Sequence, residues 1–163
     1  MMKIDPISHI LGKLGKRIFP LPFRCLIVGT SGCGKTLLYS SITKEWSIPF
    51  HSLYIFSKSI EQDAYKDFKK AYDKLADKED AEIAHFYGNC EDLISVDECE
   101  PNSLVVFDDC VNIKQQHFIK DYFVSGRKKN ISCVYVKQPY TKVDRQLIRG
   151  NINFLCVFKR SPK

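Results

Sequence analysis

Cys25-Leu26-Ile27-Val28-Gly29-Thr30-Ser31-Gly32-Cys33-Gly34-Lys35-Thr36 is the stretch on which the reading of this chain turns. Four apolar residues lead into G-x-x-x-x-G-K-[ST], every fixed position is filled, and the following residues have helical character. That is the strand–loop–helix setting the motif, known as Walker A, requires. The residue types follow from the chemistry of phosphate. Gly29, Gly32 and Gly34 permit turns with positive φ, so the N–H groups of Thr30, Ser31 and Cys33 can point inward at phosphate oxygens. Lys35 brings a point charge to the β- and γ-phosphates, and the Thr36 hydroxyl supplies one ligand to Mg²⁺. The helix entered through Lys35, Thr36 and Leu37 adds its positive end to the anion site. Residues 29–37 are thus expected to bind a nucleotide, ATP with Mg²⁺.

The rest of the composition bounds the class. At 163 residues the chain is expected to be one domain with a proper core. No apolar run approaches the ~20 residues that span a bilayer, and residues 1–10 lack the apolar core of a secretory signal. An intracellular protein without membrane contact is expected. Seven cysteines (25, 33, 90, 99, 110, 133 and 156) form no Cys-x-x-Cys pair and no zinc-type cluster. Reduced, mostly buried thiols are the expectation, with Cys33 set apart by its place inside the loop. The net charge of +6 is uneven. From Lys114 onward twelve lysines and arginines face two aspartates, a net of +10 that leaves −4 for residues 1–113. A basic final third suits a polyanion partner or a solvated basic face.

Taken in order, residues 1–22 read as an appended segment and 23–163 as the nucleotide-binding domain. Ile7, Ile10, Leu11, Leu14 and Ile18 recur at helical spacing with Lys13, Lys16 and Arg17 between them. Such a helix can dock on another subunit, lie on a membrane, or cover its own sheet. Strands are predicted over 23–28, 52–57, 103–107, 131–136 and 153–158, and helices over 35–44, 60–86 and 113–124. The first helix is expected to carry Leu37, Leu38 and Ile42 inward. Residues 87–102 read as irregular. Continuous apolar strands alternating with helices indicate an α/β fold, a mainly parallel sheet with helices on both faces.

Leu104-Val105-Val106-Phe107-Asp108-Asp109 has the form of a Walker B segment, a buried strand ending in acid. Asp108 can hold the Mg²⁺ shell, and Asp109 can orient or deprotonate an attacking water. A strand inserted between the phosphate-loop strand and the Walker B strand would mark the additional-strand (ASCE) division of RecA-like P-loop NTPases. Gln138 ends the next strand, at the sheet edge where open α/β folds bind ligands, and is a candidate γ-phosphate sensor or a loop cap. Arg127 precedes that strand on the opposite side. It suits an arginine finger given in trans, a DNA-phosphate contact, or a surface turn. Arg145 and Arg149 are the fallback candidates.

The run from Phe123 to Tyr140, FVSGRKKNISCVYVKQPY, continuing through Arg145-Gln146-Leu147-Ile148-Arg149-Gly150-Asn151-Ile152-Asn153-Phe154, resembles the genome-packaging ATPases of poxviruses, other large DNA viruses and Polinton transposons. These belong to the FtsK–HerA group of DNA-pumping ATPases. The shared pattern is an arginine-bearing turn, Asn-Ile, an apolar strand, Gln, a variable loop, Arg-x-x-x-Arg-x-Asn and a last strand. The resemblance covers about residues 23–160 and implies Lys35 and Thr36 on nucleotide and Mg²⁺, Asp108 and Asp109 as Walker B acids, Gln138 as sensor and Arg127 as finger. It further implies a homo-oligomeric ring that hydrolyses ATP to move double-stranded DNA into a capsid, with capsid or portal protein as a further partner, inside the host cell or on the virion. Lys137 departs from the pattern, since a small hydroxyl residue commonly precedes the glutamine. Two other classes stand beside this one: a nucleotide-dependent switch or assembly factor with little turnover, and a helicase-like replication ATPase on single strands.

Overall fold

A computed structural model describes residues 20–45, 50–88, 93–109, 116–138, 143 and 145–158. Six strands make one sheet: β1 (Arg24–Val28), β2 (Leu53–Ser57), β3 (Ala84–Tyr87), β4 (Leu104–Asp108), β5 (Ser132–Lys137) and β6 (Phe154–Val157), in the order β3-β2-β4-β5-β1-β6. Every neighbouring pair is parallel. All the strands therefore end on one edge, and the residues that follow β1, β4 and β5 meet there. Strand β5 lies between β1 and β4, so the additional strand is present and the arrangement is that of a RecA-like P-loop NTPase core.

Side chains alternate across the sheet with the period of two that a strand imposes. Cys25, Ile27, Leu53, Ile55, Val106 and Val134 face α1 (Lys35–Glu45) and α2 (Asp63–Glu79), which contribute Tyr39, Tyr65, Phe68 and Tyr72. Leu26, Phe56, Val105, Phe107, Cys133 and Tyr135 face the other way, against Ile119, Tyr122 and Phe123 of α3 (Gln116–Val124). Both faces are covered, which explains why the central strands read as unbroken apolar runs. Phe68 sits at the centre of the first layer, edge-on to Tyr72 at 5.2 Å and to Phe86 at 6.1 Å. Phe68→Ala is expected to cost about 3–5 kcal/mol through the cavity it leaves, read from the midpoint of urea denaturation.

Two expectations are corrected. The predicted helix over 60–86 ends at Glu79, where Asp80 turns left-handed (φ 50°), and its tail forms the sixth strand, β3. Pairing beside β2 lets His85 stack on Tyr54 at 4.8 Å and Tyr87 on Phe56 at 4.7 Å, contacts that a continued helix would forfeit. Leu37, predicted to point inward, is 71% exposed, and Tyr39 takes the buried position instead. Residues 1–19 lie outside the described residues, and with them nearly all of the expected N-terminal segment. So do Cys90 and Cys110; among the described residues the cysteines are free, with Cys25, Cys99 and Cys133 buried. No helix among the described residues is long and apolar enough to cross a membrane.

Candidate active site

The glycine-rich loop joins β1 to α1 at the C-terminal edge of the sheet. Gly32 (φ 73°) and Gly34 (φ 97°) hold the left-handed turns that orient successive N–H groups toward one point. Gly29 serves differently. A Cβ there would lie 2.5 Å from Cys33 Sγ and 2.8 Å from Phe158 Cβ, so only glycine fits between the loop and the end of the last strand. Helix α1 begins at Lys35, and its first N–H groups, which have no partner within the helix, add to the same positive point. Lys35 is 8% exposed, and its ammonium donates to the carbonyls of Gly29 at 2.9 Å and Thr30 at 2.7 Å. The loop thus folds around a cation held in its own mouth, a charge positioned to meet an anion.

Across the edge, Asp108 closes β4 and faces α1. Thr36 Oγ1 lies 3.5 Å from Asp108 Oδ2. Two further hydroxyls meet that oxygen: Tyr39, three residues beyond Thr36 on the same helical face, donates at 3.3 Å, and Tyr65 of α2 donates as well. Tyr39 OH also bonds Tyr65 OH. Burial pushes the Asp108 carboxyl above its ordinary range, and neighbouring Asp109 adds to the rise; the two phenols and the Lys35 charge oppose it. Burial likewise lifts both tyrosines well above the usual phenol value, so they act as donors.

Asp109 turns away from this cluster with φ 46°. Its N–H donates to Val136 O at 3.0 Å and extends the β4–β5 ladder by one residue. Its two oxygens are shared: Gln138 Nε2 donates to Oδ2 at 3.1 Å, and Lys137 Nζ lies 3.5 Å from Oδ1. Lys137, the departure from the expected pattern, is thus the ionic partner of the second acid. Gln138 is exposed at the same edge.

Arg127 stands at the other end of β5, on the 3₁₀ turn Gly126–Lys129. The six residues of β5 span about 20 Å, which separates the arginine from the glycine-rich loop of the same chain. The turn is firmly set. Lys129 Nζ donates to Val96 O at 3.0 Å, Asp97 O at 2.8 Å and Cys99 O at 2.6 Å, and Asn130 Nδ2 donates to Asn102 Oδ1 at 2.8 Å. Arg127 itself is exposed, as are Lys128 and, on the π-helical turn Arg145–Arg149, Arg145. Two members of the basic third, Lys129 and Lys137, are therefore committed to internal partners.

A family model described as Poxvirus A32 protein matches residues 15–163. The chain belongs to that family. It is a family of viral genome-packaging ATPases, so the family carries ATPase character, DNA packaging and nucleotide use, in line with the resemblance carried by Phe123–Phe154. No curated protein matches the chain.

The donor set fits the expected ion. Mg²⁺ prefers hard oxygen ligands, usually one or two carboxylates with waters and substrate phosphates, rather than a cage of protein groups. Here one buried carboxylate and one hydroxyl meet beside a phosphate-shaped loop, and no group of three or more His, Cys, Asp or Glu gathers elsewhere among the described residues. Sequence reasoning missed the two tyrosines. Tyr39 had a signal, since its place at i+3 from Thr36 puts both on one face of the helix. Tyr65 had none, because an inward tyrosine on an amphipathic helix reads as core.

Proposed function

We propose that the chain is an ATP-hydrolysing double-stranded DNA translocase of the FtsK–HerA type, packaging a viral genome as a homo-oligomeric ring. The observation that carries this reading is the convergence of Lys35, Thr36, Asp108, Asp109 and Gln138 on one sheet edge while Arg127 lies about 20 Å away at the other. Half of a phosphoryl-transfer site is then present within the subunit, and the charge-stabilising arginine is available only to a neighbour.

In this mechanism the Walker A loop receives the phosphates of ATP through its N–H groups. Lys35 exchanges the Gly29 and Thr30 carbonyls for β- and γ-phosphate oxygens. Thr36 and Asp108 would hold Mg²⁺, which would supply neutralisation of phosphate charge. Asp109 positions a water for in-line attack and accepts its proton, with Gln138 and Lys137 fixing the carboxylate. Gln138, at hydrogen-bond distance from Asp109, reports whether the γ-phosphate is present. Arg127 of the adjacent subunit completes the site by stabilising charge on the transferred group.

Exposed Lys128 and Arg145, with other cations of the basic final third, face DNA phosphates, so binding would be salt-dependent and indifferent to base sequence. Capsid or portal protein is the expected further partner, in the infected host cell. Residues 1–22 are a segment appended to the ATPase domain of 23–163. Displacement of a triplex-forming strand from duplex DNA tests translocation. ATP-dependent displacement is expected, lost in Lys35→Ala. ATP binding without displacement would point instead to a switch or assembly factor, and unwinding of the duplex itself to a helicase.

A further inference from the structure

Three hydroxyls reach Asp108, and among the described residues all of them meet one oxygen, Oδ2. Thr36 is accounted for by its role beside the nucleotide. The other two are not. Tyr39 and Tyr65 come from different helices, and their side chains are buried to 0% and 1% exposure. Their rings pack at 6.3 Å from each other, and Tyr39 is edge-on to Phe68 at 6.5 Å.

Phenylalanine would fill both places as well. A buried hydroxyl costs free energy unless it is hydrogen-bonded, so a pair of phenols in an otherwise aromatic layer needs a purpose beyond packing. The bonds state the purpose. Tyr65 donates to Asp108, the Tyr39 hydroxyl lies within hydrogen-bond reach of both Tyr65 and Asp108 and shares its one proton between them, and Ser57 at the end of β2 hydrogen-bonds Tyr65. The chain of hydroxyls ties β2, α1 and α2 to a single carboxylate oxygen.

We infer that Tyr65, assisted by Tyr39, is a positioning residue for Asp108: the two phenols hold Oδ2 and fix the orientation of the carboxylate beside the Thr36 hydroxyl, the pair that would hold Mg²⁺. The inference rests on the ATPase reading above and adds to it a support that lies outside the sequence motifs. An acid at the end of a strand can rotate about χ1 and χ2, whereas one held at one oxygen from two directions cannot. Partners that orient a metal's ligand in this way typically change metal affinity by about 10–100-fold when removed. The effect is specific in kind. Nucleotide contacts through the glycine-rich loop do not involve either phenol, so binding in the absence of the ion stays as it was, and only the response to the ion changes.

The test uses the full chain, a fluorescent ADP analogue and a Mg²⁺ titration. Affinity is measured first in EDTA and then as Mg²⁺ is added, for the native chain, Tyr65→Phe and Tyr39→Phe, with Tm followed alongside. Tyr65→Phe is expected to bind the analogue in EDTA within about twofold of the native chain while needing about tenfold more Mg²⁺ for the half-maximal response. Tyr39→Phe is expected to move the same midpoint in the same direction by less. A Tm change with an unmoved Mg²⁺ midpoint in both variants overturns the inference and leaves the ATPase reading standing. A native chain that binds no nucleotide overturns the reading itself. If Tyr65→Phe does not fold, the midpoint of Tyr39→Phe decides.

Discussion

Arg127→Ala is expected to lower ATP turnover about a thousandfold or more at saturating ATP, with nucleotide affinity and Tm close to native values. The size follows from the role. An arginine that stabilises the charge of phosphoryl transfer is worth about 10³–10⁵ in kcat, and a residue distant from its own loop contributes nothing to binding there. The side chain is exposed, so its removal leaves no cavity, while Lys129 and Asn130 continue to hold the turn. Mixing gives the sharper result. Arg127→Ala subunits keep an intact phosphate loop, and Lys35→Ala subunits keep an intact arginine. A mixed assembly therefore contains interfaces with both parts and should regain turnover that neither variant has alone. A mixture no more active than its components would mean that each site depends on an arginine of its own chain, and Arg145 or Arg149 would then be the next candidates.

Lys35→Ala is the second large effect. The ammonium is almost fully buried and already stripped of much of its water, with two loop carbonyls as partners. Exchanging those carbonyls for phosphate oxygens gives a charge–charge contact in a site of low effective dielectric, where a preorganised cation is worth more than in water. Loss of a single preorganised stabiliser of transition-state charge commonly costs 10²–10³ in rate. A loss of at least that order is expected in steady-state hydrolysis, together with weakened nucleotide binding. Lys35→Arg should not restore it, because the guanidinium fork cannot seat in a loop shaped around a compact ammonium.

The fold was largely legible because a parallel sheet covered on both faces needs continuous apolar strands, and Cys25–Val28, Leu53–Phe56, Leu104–Phe107 and Ile131–Val136 supply them. The C-terminal edge was legible too, since the loop, the acids and the glutamine each follow such a run. What stayed hidden depends on contacts between distant elements. Strand β3 is four residues long and half-buried, and its stacking on Tyr54 and Phe56 cannot be seen from the charged run that precedes it. The pairing of Asp109 with Gln138 joins residues 29 apart and exists because the β4–β5 register sets Asp108 beside Val136. Gly29 was expected to serve as a turn; its need is the close approach of Cys33 and Phe158, and Phe158 lies far along the chain. Tyr65 looked like core for the same reason: the carboxylate it holds belongs to another element.

Steady-state ATP hydrolysis by the full chain, titrated with linear duplex DNA at low and raised salt, is the decisive measurement of DNA-coupled ATPase activity. Hydrolysis is expected to rise with duplex DNA of any sequence, to lose its stimulation as salt increases from about 50 to 200 mM through counterion competition, and to vanish in Lys35→Ala. Hydrolysis absent with and without DNA, or unchanged in Lys35→Ala, would contradict that activity.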